Sequence, residues 1–253
     1  MILLVGLLGL LAFVVASAIV GLRILFLALR TKQLPEMAIS LSLLLAGGVG
    51  TGLTVLAVLI TGLDPRLVQW LNEIAIVVNH IGYGLLFAFV WRVFRPSEAW
   101  GALLFGVSMA ALVVGGVGMM LELVPGQPLP GRGAPATSWF WLSLSSRFVV
   151  YGWAAIESFR YHAMMKRRLA IGLADQEVVD RFFYWGVSTV AVCLIWINLG
   201  SRALFAESLA VQAMASIGTS ILGFVVAGSL FRAFFPMGRR ISAGDPLASE
   251  ERS

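Results

Sequence analysis

Long apolar runs, separated by short polar connections, make up almost the whole chain. Each run is as long as the roughly 20 residues that an α-helix needs to cross a bilayer. None shows the alternation over about ten residues that marks the strands of a membrane β-barrel. The runs predict an all-α, seven-helix transmembrane bundle with spans at 2–29, 36–62, 67–92, 98–123, 137–164, 177–200 and 205–235.

The composition also indicates a membrane protein. Hydrophobic residues form 59% of the chain and charged residues 12%, with a mean hydropathy of +0.92. Soluble domains carry about 25% charged residues, so this chain lacks the polar groups that would cover a water-facing surface. The sequence predicts a transmembrane domain over 1–236 and a polar cytoplasmic tail over 237–253.

Basic residues are distributed unevenly between the two sets of span ends. The ends after spans 1, 3, 5 and 7 hold Arg30, Lys32, Arg92, Arg95, Arg160, Lys166, Arg167, Arg168, Arg181, Arg232, Arg239, Arg240 and Arg252. The other ends hold Arg66, Arg132 and Arg202. Because Lys and Arg favour the cytoplasmic side, the N-terminus is predicted outside and the C-terminus inside, in the plasma (inner) membrane. The net charge of +5 follows this topology and does not indicate nucleic-acid binding.

The ends of spans 3 and 7 resemble each other, as WRVFRP at 91–96 and FRAFFP at 231–236. Arg23 and Arg30 in span 1 are spaced like Arg160 and Arg167 at span 5. These matches are compatible with a 3+1+3 parallel repeat, in which span 4 joins two related halves. Positive-inside bias alone would produce the same helix ends, so both interpretations stay open.

Polar side chains recur at steps of three and four residues along spans 3 and 5, which places them on one face of each helix. At a rise of about 1.5 Å per residue, they lie at similar depth to polar groups of spans 6 and 7. An outward-facing polar pocket is therefore predicted. Its candidate ligand-binding residues are Glu73, Asn79, His80, Tyr83, Arg147, Tyr151, Asn198 and Gln212.

Two intramembrane charges, Glu73 and Arg147, are expected to pair, since either charge alone is costly in a low dielectric. The pair could anchor a charged ligand, or it could be a structural strut between helices. Arg23 and Glu157 lie nearer the cytoplasmic face, where snorkelling or local pairing accounts for them.

The predicted helix count and orientation resemble those of microbial rhodopsins, which bind retinal through a lysine of the last helix. Here Lys32 and Lys166 lie in cytoplasmic connections and span 7 has no lysine, so we expect no covalent retinal. The two histidines, His80 and His162, lie at different depths, which disfavours haem and catalytic metal sites. Without a Gly-x-Ser-x-Gly motif or another catalytic constellation, we expect neither an enzyme nor a cofactor.

Three functions fit these patterns. A receptor-like sensor or binding protein would hold a small polar or anionic ligand in the pocket and contact a protein partner through the basic loop 160–181. A small-solute or ion transporter would open the pocket to both sides. Transporters often have helices that Gly or Pro interrupts at mid-depth. Mid-span proline is absent here, and AGGVGTG at 46–52 is one weak point at which a helix could be interrupted. A structural subunit of a membrane complex would use the polar residues only to join helices.

Overall fold

A computed structural model describes residues 2–60, 62, 64–124, 136–205 and 208–235, with side chains from Leu7 onward. These residues form long helices and no strand. The helices are α1 (Ile2–Thr31), α2 (Leu34–Leu59), α3 (Pro65–Phe94), α4 (Ala99–Leu121), α5 (Ser138–Ala170), α6 (Gln176–Leu204) and α7 (Leu209–Phe234). Residues 125–135, which join spans 4 and 5, Glu207 at the start of span 7, and the predicted tail 237–253 lie outside the described residues.

The helices form a closed ring in chain order. Each helix contacts the next one along the chain, α7 returns to contact α1, and α3 also contacts α5. Consecutive helices run in opposite directions, so one end of the bundle collects the starts of α1, α3, α5 and α7. We call this the Arg202 end, and the opposite end, where α3 ends, the Arg95 end.

Six of the helices are long and apolar enough to cross a membrane: α1, α2, α3, α4, α6 and α7. The remaining long helix, α5, is not among them, because serines, tryptophans and charges such as Arg147 and Glu157 dilute its apolar content. Large apolar side chains on the outside, including Leu103 and Ile221, are exposed. The described helices are thus those of a membrane-embedded protein.

Local sequence explains where several helices begin. The Asp64 carboxylate accepts a hydrogen bond from the Arg66 backbone N–H at 2.9 Å, and Pro65 occupies the first turn of α3. Both features are typical of helix starts, because the first N–H groups lack partners within the helix. Thr137 and Ser208 cap α5 and α7 in the same way.

The middle of α2 departs from α-helical geometry. Leu34–Ser42 and Thr51–Leu59 are α-helical, but Leu43–Gly50 between them is a π-helix. The Thr51 hydroxyl donates to the Ala46 carbonyl at 2.7 Å, which supplies a partner five residues back. Short π-helical segments occur frequently at functional sites. The sequence pattern of AGGVGTG (46–52) predicted only a place where the helix could be interrupted.

α5 is longer than its predicted span of 137–164. Glu157 in α5 lies opposite Arg95, so the rest of the helix continues about 20 Å beyond this level. The extension packs against the start of α6, where His162 Nδ1 donates to the Val179 carbonyl at 3.0 Å and the Tyr161 and Phe182 rings lie 5.4 Å apart. The helix ends at a glycine, because Gly172 has a φ of 73° and the Leu173 N–H donates to the Arg168 carbonyl at 2.9 Å.

Candidate functional site

A hydrogen-bonded chain joins α3 and α5 in the bundle interior. His80 Nδ1 lies 2.6 Å from the Ile76 carbonyl, and His80 Nε2 lies 2.9 Å from Ser143 Oγ. A carbonyl only accepts, so in the neutral imidazole Nδ1 carries the proton and Ser143 donates to Nε2. Arg147 Nη2 in turn donates to Ser143 Oγ at 2.9 Å. The chain thus runs from Arg147 through Ser143 to His80.

The Arg147 guanidinium lies between two aromatic rings from neighbouring helices. Its Cζ is 5.2 Å from the centre of the Tyr83 ring in α3 and 5.1 Å from that of Trp196 in α6. Cation–π contacts of this kind contribute on the order of 0.5–2 kcal/mol. Among the described residues no carboxylate forms an ion pair with Arg147, and its buried Nε has no hydrogen-bond partner.

The expected pair between Glu73 and Arg147 does not form. Glu73 instead accepts a hydrogen bond from Gln69 of its own helix at 2.8 Å. The register of α3 against α5 is the cause, because it places His80 opposite Ser143. Glu73 then lies two turns, about 10 Å, closer to the Arg202 end. Helical side chains also lean towards the helix start, and Arg147 accordingly bonds back to Ser143.

Asn79 lies where α3 contacts the π-helical segment of α2. A Cβ added to Gly50 would come within 2.6 Å of Asn79 Cγ, so only glycine allows this approach. Asn79 Oδ1 is buried without a hydrogen-bond partner. It borders a cavity of about 40 Å³ that Thr51, Thr54 and Arg147 also line. A polar ligand or a water would supply the missing hydrogen bond.

The predicted residues of α6 and α7 lie apart from the Arg147 chain. Arg202 Nε donates to Gln212 Oε1 at 2.8 Å, and Gln212 Nε2 donates back to the Arg202 carbonyl at 3.2 Å. Asn198 packs against Gly218, where an added Cβ would meet Asn198 Nδ2 at 2.9 Å. These contacts join α6 to α7. The structure therefore brings together Asn79, His80, Tyr83 and Arg147, but not Glu73, Asn198 and Gln212.

A larger cavity of about 140 Å³ opens on the other side of the Tyr83–Trp196 layer. Tyr151 and Ser216 line it, and Arg202 lines it near the end of α6. It shares four wall residues with the small cavity at Arg147: Thr51, Tyr83, Trp196 and Leu199. Tyr151, a predicted site residue, thus lines the larger cavity, and its ring lies edge-on to that of Tyr83, with the ring centres 6.3 Å apart.

Two further cavities continue towards the Arg95 end. One of about 20 Å³ shares Phe13, Tyr151 and Val192 with the 140 Å³ cavity. It also shares Ile39 and Trp185 with a cavity of about 710 Å³ at the Arg95 end. The interior is therefore a row of cavities separated by narrow layers. Sequence patterns gave no signal for this row, since most of its wall residues are ordinary apolar ones.

A second arginine centre lies at the Arg95 end, and sequence reasoning missed it. Arg95 Nε and Nη2 donate to the two Glu157 carboxylate oxygens at 2.8 and 3.3 Å. Arg95 Nη1 also donates to Glu98 at 2.5 Å. The hydrogen bond to Glu157, then that to Glu98, raises the pKa of Arg95. The hydrogen bond from Arg95, then that from Trp100, lowers the pKa of Glu98.

Metal ligands are not clustered in the described part of the chain: no group of three His, Cys, Asp or Glu side chains could hold an ion.

Comparison with known proteins adds no assignment, because no family model, curated protein or solved structure matches this chain significantly. Any functional conclusion must therefore come from the site itself.

Proposed function

We propose that this chain is a seven-span plasma-membrane protein, N-terminus outside, that binds a small anionic ligand in its interior at Arg147. The observation that carries the proposal is a guanidinium that lies beside a cavity and has no carboxylate partner among the residues that the structure describes. An unpaired charge in a low dielectric is costly, and intramembrane ionisable residues commonly mark functional sites. A ligand carboxylate would compensate the charge with Ser143, Asn79 and the Tyr83 and Trp196 rings around it.

The proposed class is a sensor or binding protein. Ligand at Arg147 would contact α3, α5 and α6, and α5 continues beyond the bundle at the Arg95 end. There Lys166, Arg167 and Arg168 are exposed and form a basic surface for a cytoplasmic or membrane protein partner. α5 (Ser138–Ala170) is one continuous helix that carries both Arg147 and this surface, which lies in the basic segment 160–181.

Binding is tested with benzoate as the anionic probe and benzamide as its neutral isostere. Benzoate should raise the melting temperature of the detergent-solubilised protein more than benzamide does. Arg147→Met should abolish this difference, whereas Arg66→Met, at an exposed arginine of α3, should preserve it. Native mass spectrometry of the freshly purified protein would identify a retained anion directly.

The stability of the ligand-free variant distinguishes a binding site from a strut. An arginine kept for a ligand leaves the ligand-free protein with an uncompensated charge, so Arg147→Met should leave its stability unchanged or increase it. A loss of several kcal/mol in Arg147→Met without ligand would contradict the proposal and favour a structural subunit.

Transport is the second candidate, favoured by the row of cavities along the bundle. Its test places a cysteine at Ser188, which lines the 20 Å³ cavity, in a Cys193→Ser background. A membrane-impermeant thiol reagent should modify Ser188→Cys from both sides of the membrane if the protein transports solute. Modification from one side or neither favours the binding protein.

A further inference from the structure

The cavity of about 710 Å³ at the Arg95 end has an amphipathic lining. Its walls include Phe89, Phe182 and Trp185, from α3 and α6, and its polar lining includes Arg23, Arg30 and Arg181. Ligand pockets typically have volumes of about 300–1,000 Å³. The cavity is therefore large enough for a substantial apolar group, with positive charge available at one part of its lining.

The charges around this cavity do not cancel. Arg181 forms an ion pair with Glu177 at 2.8 Å, and Thr31 donates a hydrogen bond to Glu36, which is the carboxylate on the lining. Arg23 and Arg30 form no ion pair among the described residues. Two unpaired arginines thus face one carboxylate, and the site carries an excess positive charge.

Of the two unpaired arginines, Arg23 has the better-defined surroundings. It lies eight residues before the end of α1, about 12 Å inside the helix end. Its guanidinium lies over the Phe235 ring, with Cζ 4.1 Å from the ring centre. An aromatic face holds the group in place but leaves its in-plane N–H donors available. Arginine presents these donors in a fork that matches the oxygens of a phosphate.

We infer that this cavity binds an anionic phospholipid, with its phosphate at Arg23 and Arg30 and an acyl chain between the aromatic walls. A free phosphate shares the headgroup chemistry but would leave the apolar walls of the cavity empty. A zwitterionic lipid shares the acyl chains but carries a cation that the excess arginines repel. The site is distinct from Arg147 and does not depend on the function proposed there.

The test titrates the detergent-solubilised protein with dioleoyl phosphatidylglycerol and dioleoyl phosphatidylcholine and counts bound lipid by native mass spectrometry. The protein should prefer phosphatidylglycerol. Arg23→Gln should weaken phosphatidylglycerol binding about tenfold, the loss of one charge-assisted hydrogen bond. Arg92→Gln is the matched control, because Arg92 is an exposed arginine at the same end that does not line the cavity; it should bind as the unaltered protein does.

Equal affinity for the two lipids, or equal losses in Arg23→Gln and Arg92→Gln, would overturn the inference. Displacement of the lipid by glycerol phosphate at similar concentration would also overturn it, because the headgroup alone would then suffice. Melting curves check that each variant is folded. If Arg23→Gln does not fold, Arg30→Gln provides the same test from the other unpaired arginine.

Discussion

Arg147 and Arg95 are two arginines in one bundle with opposite surroundings. Arg95 is 15% exposed and binds both oxygens of Glu157, a carboxylate that is 2% exposed. Arg147 is surrounded by two aromatic rings, a serine hydroxyl and a cavity, and no carboxylate of the described ranges pairs with it. Arg95, whose charge is compensated by a carboxylate, stabilises the contact between the end of α3 and α5. Arg147 keeps a buried Nε without a hydrogen-bond partner, to which an anionic ligand could bind.

The largest expected effect is the difference in stability between Arg95→Met and Arg147→Met. Arg95→Met leaves the buried Glu157 with only Arg160, whose Nη1 is 3.6 Å away. Removing one partner of a buried pair costs about 3–5 kcal/mol, so we expect a loss of about 3 kcal/mol. Arg147→Met removes a charge that has no acidic partner in the described part of the chain and should leave the stability unchanged or increase it. Denaturant unfolding in detergent measures both, and similar losses would remove the distinction between the centres.

Backbone contact, rather than ion pairing, should hold the helices around Arg147. A Cβ on Gly82 of α3 would come within 2.5 Å of the Ala46 backbone nitrogen in α2. Gly82→Ala should therefore destabilise the protein by about 2 kcal/mol, as overpacking typically does.

Gly106→Ala is the control for this contact, since nothing lies within 4 Å of the added methyl group. Alanine is the better helix former by up to about 1 kcal/mol, so this variant should be neutral or slightly more stable. Equal losses in Gly82→Ala and Gly106→Ala would show that the α2–α3 approach contributes nothing.

A smaller effect is expected from the hydroxyl that links His80 to Arg147. Ser143→Ala removes the partner of His80 Nε2 and of Arg147 Nη2. Leaving such groups without a hydrogen bond costs on the order of 1–3 kcal/mol, and the adjacent cavity lets water recover part of it. We expect a loss of about 1 kcal/mol by thermal unfolding. Ser145→Ala is the control, because the exposed Ser145 hydroxyl bonds only within its own helix.

The smallest effect is the acid response of the Arg95 centre. Arg95 lowers the pKa of Glu98, so this contribution to stability is present above the unfolded-state pKa and lost as the pH falls through the folded-state pKa. Glu98→Gln should therefore reduce the fall in melting temperature between about pH 6 and pH 3, and lower the melting temperature slightly near neutrality. An unchanged acid profile would indicate that Glu98 does not contribute to the centre in solution.

Six of the seven predicted spans correspond to helices that are long and apolar enough to cross a membrane, because apolar length depends on the local sequence. Spans 98–123 and 177–200 correspond closely to α4 and α6. The pairing of Glu73 with Arg147 was wrong because pairing depends on the register between helices. α4 packs closely against both helices, with Gly115 against Ser143 of α5 and Gly116 against His80 of α3, and hydropathy does not encode such contacts.

The Arg95–Glu157 centre was missed for a different reason. Arg95 was counted as a topology signal and Glu157 as a locally paired acid, although both lie at the same end of the bundle. An acid inside an apolar span, at the same predicted end of the bundle as Arg95, was a usable signal. The polar groups at His80 and Arg147 were found because they interrupt apolar runs, whereas the cavities beside them are lined largely by residues that do not.

The π-helical segment of α2 also sets the angular position of the residues that follow it in the helix, Thr51–Leu59. An α-helix advances about 100° per residue, and a π-helical turn accommodates an extra residue. Deleting one residue within Leu43–Gly50 would let α2 become uniformly α-helical while keeping its length nearly unchanged. If all eight residues instead adopted α-helical winding, Thr51 and Thr54, which line the cavity at Arg147, would rotate away from it. The π-helical segment thus places Thr51 and Thr54, whose hydroxyls donate to carbonyls of their own helix, in the wall of the cavity that Arg147 also lines.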